Sequence, residues 1–198
     1  MRSSMVYDRG SMKIGDKIRR RPGEDEEIGK EVGIHGDRWA RFHRGYFSNP
    51  EVSQKLIDEV VNTVSESHPT VLIDLGGGTG YLLSQLLRRK LAPGIRLVNL
   101  DLSSRQLRES FSDRIVNIRV SLSDLKRDLI GSDSDRVLFM MRSVLHYFGK
   151  DGLEDILVHL RQQMEPGEYF IHQTACFDSP RSADCLNRIY AGMGTAKW

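Results

Sequence analysis

The sequence has few cysteines and no long apolar run, and these shortages exclude several classes of protein. The only cysteines among the 198 residues are Cys176 and Cys185. A lone pair gives neither a disulfide framework nor the spacing of a zinc site, so we expect two free thiols. No apolar stretch approaches the roughly 20 residues that cross a bilayer, and no apolar segment follows the N-terminal basic residues. We therefore expect a cytoplasmic protein without a membrane partner.

Excess charge of one sign is also lacking. The net charge of +2 is too small to predict a nucleic-acid partner. The histidines show no pair at metal-ligand spacing on one element, so no bound metal is expected. A chain of this length is long enough for one domain with a real core, and two domains would be cramped.

The composition changes once, near residue 34. Residues 1–33 hold a basic run followed by an acidic one and have almost no apolar periodicity. Such a segment buries too little to offset its ordering entropy, which predicts a mobile N-terminal arm over residues 1–33 and one domain over residues 34–198. Trp39 and Tyr46 follow the arm at helical spacing. Either they belong to the core or they form part of a lid.

After Pro69, short apolar runs alternate with amphipathic stretches, which is typical of a parallel sheet covered by helices on both faces. The predicted strands are Val71–Leu75, Arg96–Leu100, Ile115–Val120, Arg136–Met141 and Glu168–Gln173. The predicted helices cover residues 50–66, Tyr81–Arg89, Ser104–Phe111 and Asp151–Met164, and a capping box of Ser103 and Gln106 begins the third.

The most informative segment is VLIDLGGGTG at residues 71–80, where a buried strand enters a loop of four glycines. Glycine is needed where the backbone takes unusual dihedral angles or approaches a ligand closely. The spacing does not match the G-x-G-x-x-G of dinucleotide-binding loops, and a phosphate loop would end in Gly-Lys-Ser/Thr. The pattern present is D-x-G-x-G-x-G, formed by Asp74, Gly76, Gly78 and Gly80.

This motif resembles the first motif of class I S-adenosylmethionine-dependent methyltransferases. The resemblance continues in order along residues 47–173. Asp101 closes the second predicted strand, where the family has an acidic residue that accepts both ribose hydroxyls, and Leu102 would pack on the adenine. Ser121 and Leu122, in the segment ending at Asp124, occupy the place where the family holds the adenine edge. The usual Gly-Asp pair is missing there, and the choice between Ser121 and Asp124 stays open.

Two further segments of the family follow. MMRSVLHYF, which contains Arg142 and His146, is similar to the segment after the fourth strand, where Arg142 would contact the cofactor. MEPGEYFIHQ is similar to the turn into the fifth strand. The resemblance implies a Rossmann-like α/β fold with strand order 3-2-1-4-5 and helices on both faces.

Residues 174–198 leave no room for both a helix and the usual C-terminal hairpin of strands 6 and 7. We expect that hairpin to be absent, so that the fifth strand either has an open edge or pairs with a partner chain as a homo-oligomer. A truncated chain would explain the same feature.

The resemblance implies methyl transfer from S-adenosyl-L-methionine to a small-molecule acceptor. His146 is the candidate general base, since imidazole titrates in the useful range; the alternative is that it only packs or hydrogen-bonds. Two other functions are weighed against this one: a nicotinamide-dependent oxidoreductase, and a cofactor-binding protein without transferase activity.

Overall fold

The computed structural model describes residues 50–89, 91, 93–108, 112–174 and 178–192. The predicted N-terminal arm lies outside these residues, as do Trp39, Tyr46 and Cys176. Within the described residues no helix is both long and apolar enough to span a membrane.

Strands and helices alternate along the described chain. The strands are β1 Val71–Leu75, β2 Arg96–Asp101, β3 Ile115–Arg119, β4 Val137–Arg142 and β5 Tyr169–Gln173. The helices are α1 Pro50–Ser67, α2 Tyr81–Arg88, α3 Ser104–Arg108, α4 Arg127–Ile130, α5 Gly149–Gln162 and α6 Pro180–Gly192. Two short 3-10 helices, Leu122–Asp124 and Leu145–Phe148, follow β3 and β4.

The five strands form one sheet in the order β3-β2-β1-β4-β5, and every neighbouring pair is parallel. The predicted order 3-2-1-4-5 is therefore confirmed. The order reverses between β1 and β4, and open α/β sheets bind ligands beyond the carboxyl ends of the strands at such a point. The loop after β1 and the loop after β4 consequently flank one crevice.

The core lies on both faces of the sheet, because successive side chains of a strand point to opposite faces. Val71, Ile73 and Leu75 of β1 pack with residues of α4 and α5 in one apolar cluster. Leu72 between them packs with α1 and α2 in a second cluster. Helices thus cover both faces, as predicted, and β1 is buried along its whole length.

The outer strands are less buried than the central ones. β3 is buried only at Ile115 and β5 has the exposed Tyr169, as expected for the two edge strands of the sheet. In the described part of the chain β5 is followed by helix α6, and no sixth or seventh strand is present there.

The amino-terminal edge of the sheet is held by a buried ion pair. The Arg127 guanidinium donates to both carboxylate oxygens of Glu168, at 2.8 and 2.7 Å. Glu168 also accepts from the backbone N–H groups of Val137 and Glu165. Burial opposes ionisation of Glu168, but the hydrogen bonds from Arg127 and these amides outweigh it and lower its pKa. The network joins α4 to the starts of β4 and β5, far from the crevice.

Several element boundaries differ from the sequence-based predictions. Helix α5 starts at Gly149 rather than Asp151 and ends at Gln162 rather than Met164. Helix α3 is described only over Ser104–Arg108, and residues 109–111 lie outside the described part. Helix α4 and the two 3-10 helices were not predicted, since three or four residues are too few to show a helical period.

Candidate cofactor site

The glycine loop runs from the end of β1 to the start of α2 and is fixed to the neighbouring strand. The backbone N–H groups of Gly76 and Gly77 both donate to the carbonyl oxygen of Leu100 on β2, at 2.8 and 3.1 Å. Gly80 then donates to the carbonyl of Gly77 at 2.9 Å and precedes the first residue of α2. These bonds turn the chain tightly at the carboxyl edge of the sheet.

Gly76, Gly78 and Gly80 all have positive φ, at 70°, 58° and 74°, a conformation that side chains disfavour. There is also little space for a side chain at two of these glycines. A Cβ on Gly76 would lie 2.6 Å from Cγ2 of Val144, which follows β4. A Cβ on Gly78 would collide with the side-chain oxygen of Gln106. Backbone conformation therefore favours glycine at all three predicted motif positions, and close approach to Val144 adds to this at Gly76.

Asp101 lies beside this loop, as its place at the end of β2 predicts. One carboxylate oxygen accepts from the backbone N–H of Gly78 at 2.8 Å. The other accepts from the N–H of Ser103 at 2.7 Å. A carboxylate offers two acceptor oxygens, each with two lone pairs, and such a group suits a ligand with paired donors. The structure thus brings together the two strongest elements of the sequence pattern.

The capping box predicted at Ser103 forms only in part. The backbone N–H of Gln106 donates to the Ser103 hydroxyl at 3.2 Å, but the N–H of Ser103 donates to Asp101 instead of to the Gln106 side chain. That side chain lies against Gly78. The start of α3 is therefore tied into the glycine loop.

Leu102 is 56% exposed although it directly follows a buried strand residue. Exposed large apolar side chains beside a crevice often mark a ligand contact. Next along the sheet, Ser121 caps the first 3-10 helix by accepting from the N–H of Ser123 at 3.3 Å. Leu122 is buried in the core, so only its backbone can face a ligand, and Asp124 is exposed.

Asp74 is buried inside the sheet at the end of β1, with 1% of its surface exposed. Burial raises its pKa to about 8; the nearby Asp101 carboxylate adds to the shift and Arg142 opposes it. At neutral pH the Asp74 carboxyl is consequently mostly protonated. The motif predicts Asp74 as a residue of the cofactor site, and this stays a prediction.

The loop after β4 forms the other wall of the crevice. Arg142 ends β4, and Ser143 after it has a positive φ of 56°, which is uncommon for a residue other than glycine. His146 lies in the 3-10 helix that follows, and its ring centroid is 4.0 Å from that of Tyr147. Arg142 and His146 are both partly exposed.

The sequence pattern did not predict that Asn99, Gln106 and Val144 contact or crowd the loop, although Gln106 was expected to cap a helix. One signal was available for Asn99, because a single amide in the apolar strand RLVNLD is unusual. Gln106 and Val144 carry no such signal, since their roles come from how α3 and the β4 loop fold back. Among the described residues no cluster of histidine, cysteine or carboxylate side chains could hold a metal ion.

No family model and no curated protein sequence matches the chain. Solved structures do. An O-methyltransferase family protein from Burkholderia thailandensis is 22% identical with a TM-score of 0.51, over 89% of this chain and 56% of that one. Human N-acetylserotonin methyltransferase in complex with S-adenosylmethionine is 16% identical with a TM-score of 0.50, over 86% and 54%.

A proposed methyltransferase from Thermobifida fusca is also similar, at 17% identity and a TM-score of 0.54, over 71% of this chain and 58% of that one. This chain has the fold of class I methyltransferases. At these identities the likeness concerns the fold, and the chain spans only 58%, 56% and 54% of these three proteins.

Proposed function

We propose that the chain binds S-adenosyl-L-methionine and transfers its methyl group to a small-molecule acceptor. One observation carries the proposal: the D-x-G-x-G-x-G loop and Asp101 meet at the carboxyl edge of the sheet, joined by the 2.8 Å bond from Gly78 to the Asp101 carboxylate. An acidic residue at this position suits a ribose, whose two hydroxyls need paired acceptors. The similar human enzyme, which holds S-adenosylmethionine, supports the cofactor by its fold.

Different residues along the crevice would bind different parts of the cofactor. Asp101 would accept the ribose hydroxyls, and the exposed Leu102 would cover the adenine ring. Ser121, together with the backbone of Leu122, would face the adenine edge. The loop Gly76–Gly80 would let the amino-acid part approach the backbone closely, and Arg142 would face the same part from β4.

The cofactor would supply an already activated methyl group, so positioning of the acceptor provides much of the rate. A base is needed only where the acceptor atom carries a proton. We propose His146 for that role, because it lies after β4 beside the crevice and is partly exposed. Its imidazole would take the acceptor's proton as the methyl group is transferred.

A nicotinamide-dependent oxidoreductase is the second candidate, since such enzymes also place an acidic residue after the second strand. The glycine spacing favours methyl transfer, because the loop lacks the G-x-G-x-x-G register of dinucleotide sites. A binding protein without transferase activity is the third candidate. It shares the cofactor site and differs only in lacking turnover.

Incubation with methyl-labelled S-adenosylmethionine and a panel of small-molecule acceptors tests the proposal. We expect label in the small-molecule fraction, and no transfer by an Asp101→Ala variant. Binding of S-adenosylhomocysteine without any transfer would favour the binding protein, and binding of NADH in its place would favour the oxidoreductase. The N-acetylserotonin methyltransferase likeness suggests aromatic hydroxyl and amine compounds for the first panel.

The location, the partners and the oligomeric state of the chain are also proposals. A cytoplasmic location, and the lack of a nucleic-acid or membrane partner, stay predictions from composition. The exposed edge at β5 supports pairing with a second copy, because unpaired strand edges invite pairing. Sedimentation of the purified chain would test the homo-oligomer.

A further inference from the structure

Three polar side chains lie at one level across consecutive strands beneath the glycine loop. Asp74 on β1 is paired in register with Asn99 on β2, and Asn99 with Asn117 on β3. Asn99 is completely buried and Asp74 almost so. Polar groups buried in this way are costly unless they are hydrogen-bonded.

The Asn99 amide holds the loop, and its orientation follows from its partners. Its Nδ2 donates to the backbone carbonyl of Gly78 at 2.9 Å and to Oδ1 of Asn117 at 3.0 Å. The Gly78 carbonyl can only accept a hydrogen bond, so the NH2 end of the Asn99 amide must face it. The Asn99 Oδ1 therefore points away from Asn117, toward β1.

Asn99 Oδ1 and Asp74 Oδ2 converge on one point. A Cβ on Gly77 would collide with both oxygens. Neither oxygen has a hydrogen-bond donor among the described residues. Two such buried acceptors in proximity are unfavourable, and a hydrogen atom on Asp74 relieves this because a protonated carboxyl is a donor.

We propose that Asp74 is a neutral carboxylic acid that donates its hydrogen to Asn99 Oδ1, and that this acid–amide pair positions the glycine loop for the cofactor. Asn99 is then a positioning residue: it links the acid to the Gly78 carbonyl, while Asp101 holds the N–H of the same glycine. The positioning of the loop for the cofactor rests on the proposed function, whereas the neutral state of Asp74 does not.

The charged groups around Asp74 agree with a neutral acid. Asp101 at the end of β2 disfavours its ionisation and Arg142 at the end of β4 favours it, while burial is the largest influence. The resulting pKa of about 8 keeps the proton in place at neutral pH. Ionisation above that pH would set a carboxylate against Asn99 Oδ1 and loosen the loop.

Infrared difference spectroscopy tests the protonation state without any cofactor. The wild-type chain should show the carbonyl band of a protonated carboxyl at pH 7, which Asp74→Asn removes and the exposed control Asp133→Asn keeps. The band should disappear as the pH rises through about 8. A spectrum at pH 7 without a band that depends on Asp74 would overturn the proposal.

The pH dependence of stability provides a second readout. The folded state holds this proton more tightly than the unfolded chain, whose pKa is near the ordinary 3.8. The stability from protonated Asp74 is therefore full below pH 3.8 and is lost as the pH rises through 8. The melting temperature of wild type relative to Asp74→Asn should fall across this window, and a constant difference would contradict the proposal.

Calorimetry with S-adenosylhomocysteine tests the positioning role. Asp74→Asn keeps a neutral donor toward Asn99 and should bind within about threefold of wild type at pH 7, whereas Asp74→Leu, of similar volume, should bind at least tenfold more weakly. Above pH 8 the wild-type dissociation constant should rise relative to that of Asp74→Asn, by about tenfold per pH unit.

The binding and infrared results distinguish a failure of the neutral-acid proposal from a failure of the proposed function. A large loss of affinity in Asp74→Asn at pH 7, or wild-type affinity that rises with pH relative to that variant, would mean that the carboxylate is the binding form. If Asp74→Leu does not fold, the Asp74→Asn comparison still decides. Failure of wild type to bind S-adenosylhomocysteine would refute the proposed function, and the infrared titration would still decide the state of Asp74.

Discussion

At the scale of single residues, Asp101 is the group on which the proposed cofactor site depends most. Its carboxylate organises the glycine loop through Gly78 and the start of α3 through Ser103, and in the proposed complex it also accepts the ribose hydroxyls. Removing it leaves several donors without an acceptor, at a cost of about 1 to 3 kcal/mol each.

Asp101→Ala should therefore weaken S-adenosylhomocysteine binding by well over tenfold, measured by calorimetry. Asp113→Ala is the matched control, because Asp113 is exposed and precedes β3; its affinity should equal that of wild type. An Asp101→Ala variant that keeps its fold and its dissociation constant would show that the ribose is held elsewhere.

Substitution of His146 distinguishes a role as general base from a role in packing. As a base it would contribute on the order of 100-fold to turnover, so His146→Ala should lower turnover by about that factor and leave S-adenosylhomocysteine affinity unchanged. His68→Ala at the opposite edge serves as the control. A lower melting temperature with unchanged turnover per folded molecule would assign His146 to packing against Tyr147.

Residue roles were predictable where one side chain fixes the chemistry. The family resemblance implied that Asp101 lies beside the glycine loop, and the structure places its carboxylate 2.8 Å from the Gly78 nitrogen; its contact with ribose stays a prediction. Asp74 was expected in the site as an acid of the motif, but its protonation depends on burial and on Asn99, which only the folded sheet reveals. Leu122 was expected to line the site, and its side chain instead packs in the core.

At the scale of elements, the glycine loop is the least replaceable part of the site. Gly76 and Gly94 both have positive φ, 70° and 92°, but a Cβ on Gly76 would lie 2.6 Å from Val144 whereas nothing lies within 4 Å of one on Gly94. The two positions share the backbone strain and differ in crowding.

Gly76→Ala should accordingly lower the free energy of unfolding by roughly 2 kcal/mol more than Gly94→Ala, the usual cost of overpacking. Chemical denaturation measures the difference. Adding Val144→Ala to Gly76→Ala should recover part of the loss. Equal losses at the two glycines would mean that backbone strain alone, and not the contact with β4, requires glycine in the loop.

The strands were predicted to within a residue because they are largely apolar, as is typical of buried parallel strands; β1 and β4 each contain a single polar residue, Asp74 and Arg142. β1 matched at both ends. Helix ends were less predictable. Helix α5 continues directly from the 3-10 helix after β4, whereas its first residue, Gly149, is of a type that usually indicates the end of a helix. The shortest helices have no period to detect.

At the scale of the whole molecule, the strand order and the crevice follow from parallel crossovers and a single switch point. The family resemblance implied both before the structure, and the structure confirms the order. What covers the crevice and which acceptor enters it were beyond prediction, since these depend on loops and lids that vary on one fold.

The most direct measurement of the central claim is calorimetric titration of the chain with S-adenosylhomocysteine, repeated in the presence of saturating NADH. The account predicts one binding site per chain, unaffected by NADH and strongly weakened in Asp101→Ala. No binding of S-adenosylhomocysteine to the folded chain, or binding that NADH displaces, would contradict it.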